Sequence, residues 1–173
     1  MTKYGKIIEG TNILPMKTPM SRKRWTNYTE KKDQFHLLDL IQELNEKGKS
    51  VAAVIDLNFS DGGYYDWNYL EKKNKELLKN IDYKKIKIDS KEIPSKATLN
   101  KVYDVLNKNV FKKDNVVLVH CTKGINRTGH AICYFLCKRF EMKPDVAIKR
   151  FEEARGYPFS NKAVIDDLED RFA

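Results

Sequence analysis

Residues 116–129 read VVLVHCTKGINRTG, and the order of residue types within them decides the fold. Val116 to Val119 form an unbroken apolar run bounded upstream by Asp114 and Asn115, the pattern of a strand buried on both faces. Beyond Gly129 the period changes, with Ile132, Phe135, Leu136 and Phe140 recurring at three and four residues along one face of a helix. The stretch is therefore strand, tight loop, helix. Its loop lies at a helix amino terminus, where backbone N–H groups lack intrahelical partners.

Outward from this core, GKIIEGTNILPM (5–16) predicts two short strands around Glu9 and Gly10, followed by a basic loop from Lys17 to Arg24. A helix is expected over 31–46, with Leu37, Leu40, Ile41 and Leu44 as its apolar stripe and Leu38 widening it. VAAVIDL (51–57) is a strand, and Asp61, Gly62 and Gly63 mark the loop after it. A lysine-rich helix over about 68–79 leads to the strand YKKIKI (83–88). Pro94 opens a helix through about Asn109, with Leu99, Val102, Val105 and Leu106 facing inward. Helices near 127–141, 144–155 and 161–172 complete the chain. Strands alternating with helices imply an α/β fold, a central, mainly parallel sheet covered by helices on both faces. Ligands of such sheets bind beyond the carboxyl ends of the strands, which is where Cys121 falls.

With 173 residues, 41% apolar content and no internal repeat or linker, the sequence predicts a single domain over 1–173. No apolar run reaches the length of a membrane span, and MTKYGKIIEG lacks the apolar stretch of a signal peptide. A soluble, intracellular monomer of the nucleus or cytoplasm, with no membrane partner, is the expectation. Three cysteines without framework spacing fit a reducing compartment, and Cys133 and Cys137, one helical turn apart, read as core. The formal charge of +9 suits an anionic partner, although a general lysine bias on solvated helix faces gives the same sum.

Chemistry enters at CTKGINR. Successive N–H groups from Thr122, Lys123, Gly124, Ile125, Asn126 and Arg127 can converge as an anion-binding nest backed by the helix dipole. The same field favours a thiolate on Cys121, a nucleophile aimed at phosphorus. Arg127 supplies a planar fork that grips two phosphoryl oxygens. Gly124 allows the close approach or positive φ such a loop needs. Thr128 can donate to the sulfur and ease its departure when water cleaves a phosphocysteine. His120 is expected to hold the loop by hydrogen bonds, since a cysteine already ionised needs no base.

HCTKGINRTG resembles the signature loop of the cysteine-dependent phosphatases, and within them the RNA 5′-triphosphatases of animal mRNA capping enzymes and baculovirus-type enzymes. Further segments are similar to that branch in order: ILPMKTPM (13–20), VIDLNFSDGGYYD (54–66), YKKIKI (83–88) and RFEEARGY (150–157). The branch usually has histidine at Lys123 and an aromatic or apolar residue at His130. The resemblance implies the cysteine-phosphatase fold, a phosphocysteine on Cys121, no cofactor or metal, and Asp56 packed beside the loop in support. It also implies a 5′-triphosphate or diphosphate RNA as partner, with a guanylyltransferase acting next. Lys123, Lys17 and Arg155 are expected to read the β- and α-phosphates.

Asp89, in KIDSKEIP, has two readings: a solvated turn residue, or the general acid that protein phosphatases carry at about this distance upstream of the cysteine. Three functions follow: a polynucleotide 5′-phosphatase, a dual-specificity or tyrosine protein phosphatase of the same fold, and a non-catalytic RNA 5′-end binding module. The intact cysteine, arginine and threonine argue against the last.

Overall fold

Val54 and Ile55 are neighbours in one strand, and each is completely buried in a different core. Such a pair requires a sheet with an apolar layer on either side. The computed structural model describes residues 1–22, 34–61, 63–110, 112 and 114–173. Among these, four strands, β1 (Ile13–Met16), β2 (Ser50–Asp56), β3 (Asp82–Lys85) and β4 (Asn115–His120), pair in the order β1-β4-β2-β3. Every pairing is parallel. Helices α1 (Leu37–Glu46), α2 (Trp67–Lys73) and α3 (Lys75–Leu78) precede β3; α4 (Lys96–Asn109) precedes β4; and α5 (Asn126–Phe140), α6 (Pro144–Arg155) and α7 (Lys162–Arg171) follow it. None of these helices is long and apolar enough to cross a membrane.

On one face, Leu37, Leu40, Ile41 and Leu44 of α1 pack with Trp67 and Leu78 against Leu14, Val54 and Leu118. On the other, Leu99, Ile132, Phe135, Phe151 and Leu168 from α4 to α7 cover Ile13, Ile55, Val117 and Val119. The alternation along β2 is interrupted once. Val51 pairs with Val116 but Ala53 with Val117, so Ala52 is an extra residue, and the bulge brings Val51 onto the same face as Val54. Helix α5 carries ten consecutive buried residues, Thr128 to Cys137, because α4, α6 and α7 pack around it as well as the sheet.

The differences from sequence expectation have local causes. Of the two strands expected around Glu9 and Gly10, only β1 is one; the preceding arm turns at Gly10 (φ 79°) and meets β1 through isolated bonds, Ile8 N–H to the Ile13 carbonyl at 3.0 Å among them. The expected helix over 31–46 begins at Leu37; its first residues, like the end of the basic loop at Arg24 and Gly62 of the glycine loop, lie outside the described residues. The lysine-rich helix is two, broken at Asn74, whose side chain donates to the Leu70 carbonyl at 2.9 Å. Pro94 stands before α4 rather than opening it, because Ser95 is the cap and accepts from Thr98 N–H at 3.2 Å. Val105 is only half-buried.

One partly buried cluster ties the carboxyl-terminal helix to the segment before α4. His130 (1% exposed) lies 2.7 Å from Asp167 Oδ2, which also accepts from Arg171 Nε at 2.6 Å, and Arg171 donates to the Pro94 carbonyl at 2.9 Å. Burial holds the His130 imidazolium pKa below its ordinary value of 6.5, against the opposing pull of Asp167. A lowered histidine pKa means the unfolded chain takes up the proton first, so stability contributed by the neutral ring is lost as pH falls below about 6.5. His130→Gln is therefore expected to flatten the pH dependence of the urea midpoint between about pH 7 and pH 5. An unchanged slope would show that this ring does not titrate differently on unfolding.

Candidate active site

β4 ends at His120, and residues 121–125 form a loop that runs straight into α5. No side chain caps that helix at Ile125, so its dipole and first-turn amides face the loop. Cys121 opens the loop and is 3% exposed. The loop lies on the carboxyl end of β1. Gly124 adopts φ 72°, and a Cβ there would collide with the Met16 carbonyl, so glycine serves both the conformation and the approach.

The orientation of the peptide groups follows from what holds their carbonyls. Arg155 Nη2 donates to the Lys123 carbonyl at 2.9 Å and Arg155 Nε to the Gly124 carbonyl at 3.2 Å, while Thr18 N–H donates to the Thr122 carbonyl at 3.0 Å. In a trans peptide the N–H points opposite to its C=O. Drawing these three oxygens down therefore turns the N–H groups of Lys123, Gly124 and Ile125 the other way, as an anion nest requires. None of the N–H groups of residues 122–125 donates to another backbone carbonyl among the described residues.

Arg127 is braced from both sides. Nη2 donates to Thr122 Oγ1 at 3.0 Å and Nη1 to the Ile88 carbonyl at 3.2 Å. Thr122 in turn donates to Asn58 Oδ1 at 3.1 Å, and Asn58 donates to Thr18 Oγ1 at 3.2 Å. The guanidinium plane is thus fixed by the segment after β1, the loop after β2 and the segment after β3. Asp89 directly follows Ile88, is half-buried, and accepts from Lys91 N–H at 2.9 Å in a tight turn.

Beneath the loop lies a buried polar layer. Asp56 (5% exposed) accepts from Tyr83 Oη at 2.7 Å, Lys85 Nζ at 3.2 Å and Asn58 N–H at 3.0 Å. His120 Nδ1 faces two acceptors, the Cys121 carbonyl at 3.4 Å and Asp56 Oδ1 at 3.9 Å, so Nδ1 carries the proton and Nε2 accepts from Tyr65 Oη at 2.7 Å. Burial lowers the imidazolium pKa of His120 and, with Asp56 nearby, raises the phenol pKa of Tyr65 well above its ordinary value, which keeps Tyr65 a donor. Trp67 stacks on Tyr83 with ring centroids 5.0 Å apart and holds that hydroxyl in place.

The sequence-derived residues are thus gathered around the loop, Arg155 in a different position from the one expected. Arg155 does not line the approach: it is 1% exposed, and besides the loop carbonyls it donates to Thr2 Oγ1 and to the Thr2 carbonyl, each at 2.9 Å. The last turn of α6 delivers it from below, so it shapes the loop rather than reading phosphate. Lys123 is exposed on the loop, and Lys17 sits half-buried where β1 ends. The side chain of Asn126 is spent on the residues just before α7, accepting from Ser160 N–H and Asn161 N–H at 3.1 Å each. Thr128 is fully buried, and its hydroxyl has no hydrogen-bond partner among the described residues. Sequence reasoning missed Asn58, Thr18, Tyr65, Tyr83 and Lys85; the period-two alternation of YKKIKI, which puts Tyr83 and Lys85 on one face, was the available signal. Among the described residues no group of three His, Cys, Asp or Glu side chains is placed to hold a metal ion.

Comparison with known proteins agrees with this geometry. The chain is 30% identical to the RNA/RNP complex-1-interacting phosphatase of Bos taurus over 95% of its own length, spanning 48% of that relative. It is 28% identical to a tyrosine-protein phosphatase of Autographa californica nuclear polyhedrosis virus, covering 95% of this chain and 92% of the viral one. Among solved structures, PTPMT1 in complex with PI(5)P superposes with a TM-score of 0.69 at 17% identity, over 99% of this chain and 95% of that one, and thereby supports the fold. Residues 64–171 match the family Dual specificity phosphatase, catalytic domain. With the cysteine, the arginine and the loop between them assembled at the end of β4, the chain belongs to the dual-specificity phosphatase family.

Proposed function

We propose that this chain is a phosphatase acting on polynucleotide 5′ ends, removing the γ-phosphate of a 5′-triphosphate RNA to leave a diphosphate end. The observation that carries this reading is Lys123, an exposed cation within the phosphate loop itself, with Lys17 at the strand end on which the loop rests. A second anionic group beyond the one in the cradle is what such a position accommodates. The name of the Bos taurus relative, which speaks of an RNA/RNP complex, supports the same reading.

In the proposed reaction the Cys121 thiolate attacks the γ-phosphorus, and the bond from that phosphorus to the bridging oxygen breaks, releasing a diphosphate-ended RNA. Arg127 and the loop N–H groups hold the equatorial oxygens as charge redistributes. Water then attacks the phosphocysteine, the S–P bond breaks, and inorganic phosphate leaves. A buried hydroxyl left unpaired costs about 1–3 kcal/mol. That of Thr128 gains its partner when the sulfur becomes the leaving group. A diphosphate end is the acceptor a guanylyltransferase would use next.

The alternative is a protein phosphatase, favoured by the position of Asp89 beside the carbonyl that braces Arg127 and by the name of the viral relative. The leaving group separates the two. A diphosphate departs without a proton, whereas a phenolate of reference pKa about 10 needs one, and general acid help is worth about 10² to 10⁴-fold. Asp89→Asn is expected to leave hydrolysis of γ-labelled triphosphate RNA within a few-fold of wild type and to depress any phosphotyrosine-peptide activity by that larger factor. A wild type preferring the peptide by orders of magnitude would establish the alternative.

A further inference from the structure

Phe59 is a large apolar side chain left in solvent beside the cradle. It is 58% exposed, in the loop that leaves β2 at the carboxyl end of the sheet. Both of its neighbours are pinned. Asn58, 2% exposed, accepts from Thr122 Oγ1 at 3.1 Å, donates to Thr18 Oγ1 at 3.2 Å, and its N–H donates to Asp56 at 3.0 Å. On the other side the Ser60 carbonyl accepts from Lys85 Nζ at 2.8 Å, and the Asp61 carboxylate accepts from Lys87 Nζ at 2.7 Å. An aromatic ring is thus presented from a braced backbone, flanked by lysines, one residue away from the side chain that touches Thr122 of the phosphate loop.

Burying Phe59 would be favourable by the usual apolar transfer, and the surrounding network keeps it outside instead. A ligand that takes its phosphate to the cradle and offers a flat face to the residue next to Asn58 completes the contact. Rings in such settings stack bases of single strands, with sequence tolerance, because every base has a π-face. We propose that Phe59 is a stacking platform for the first base of the RNA whose terminal phosphate occupies the Cys121 loop. This rests on the polynucleotide reading and adds a base subsite to it.

The test pairs two substrates, a 5′-triphosphate RNA oligonucleotide and the same oligonucleotide with an abasic first nucleotide, in wild type, Phe59→Ala and Phe59→Trp. Wild type is expected to show a KM lower by about 5- to 100-fold for the base-bearing substrate, at similar kcat. Phe59→Ala should abolish that preference and Phe59→Trp should keep it. A wild type that does not distinguish the two RNAs, or a Phe59→Ala variant that distinguishes them as well as wild type, would overturn the subsite while leaving the polynucleotide reading intact. A wild type inactive on both RNAs but active on an aryl phosphate would overturn both.

Discussion

Cys121→Ser is expected to fold as wild type does and to turn over nothing measurable. Serine is close in size, so the loop over β4 keeps its packing and the unfolding midpoint should not move. The hydroxyl, however, is not ionised in a cradle that supplies no general base, since His120 holds its proton on Nδ1 toward two acceptors and takes a hydrogen bond from Tyr65 on Nε2. Without an anionic nucleophile the covalent step stops, a loss on the order of 10³-fold or more in kcat. The other two thiols cannot substitute. Cys133 and Cys137 lie within the buried run of α5, and burial raises the first well above the ordinary thiol range and the second to about 11. Phosphate release by stopped assay, beside circular dichroism of the same sample, checks both halves. A variant retaining more than about a tenth of wild-type kcat would contradict covalent catalysis at this sulfur.

Arg155→Met is expected to damage both stability and rate, although Arg155 is too deeply buried to meet substrate. The substitution keeps much of the apolar stem but removes every donor, leaving the carbonyls of Thr2, Lys123 and Gly124 short of their partners. Gly124 is buried, whereas water can reach the carbonyls of the exposed Thr2 and Lys123, so the stranded Gly124 acceptor dominates and a loss of about 1–3 kcal/mol in unfolding free energy follows. The same carbonyls set the direction of the loop N–H groups, so kcat/KM should fall by about 100-fold even where the protein is still folded. Urea denaturation and steady-state kinetics at a temperature well below the transition separate the two effects. If Arg155→Met lost stability but kept its kcat/KM, the loop would be held in shape by Gly124 and β1 without help from α6.

What could be read in the sequence and what could not divide along a physical line. The strand, loop and helix around Cys121 were legible because each rests on neighbouring residues: an apolar run, a glycine at positive φ, and a three-four periodicity. The parallel sheet with helices on both faces followed from alternation of elements. The role of Arg155 was not legible, because it depends on contacts with Thr2 and Gly124, 153 and 31 residues away, which no local pattern reports. An arginine in a helical last turn carries the same local signature whether it points out or under. Asp56 was anticipated through family resemblance, yet its partners Tyr83 and Lys85 needed the β2–β3 register to be known. The break at Asn74 went unseen because the flanking lysines and leucines suit one long helix.

The strand β3 also has a bearing on solubility. Among the described residues it ends the sheet, with no strand beside one row of its backbone groups, and open edges of this kind are where chains recruit one another into intermolecular sheets. Here the edge is four residues long, reads Asp-Tyr-Lys-Lys, and has Tyr83 and Lys85 committed inward to Asp56 while Lys84 stands exposed. A strand so short and so charged offers a poor template for aggregation. The side chains that steady the floor of the catalytic loop therefore also guard the edge of the sheet, and a variant such as Lys84→Val would test the chain's colloidal behaviour while leaving its chemistry alone.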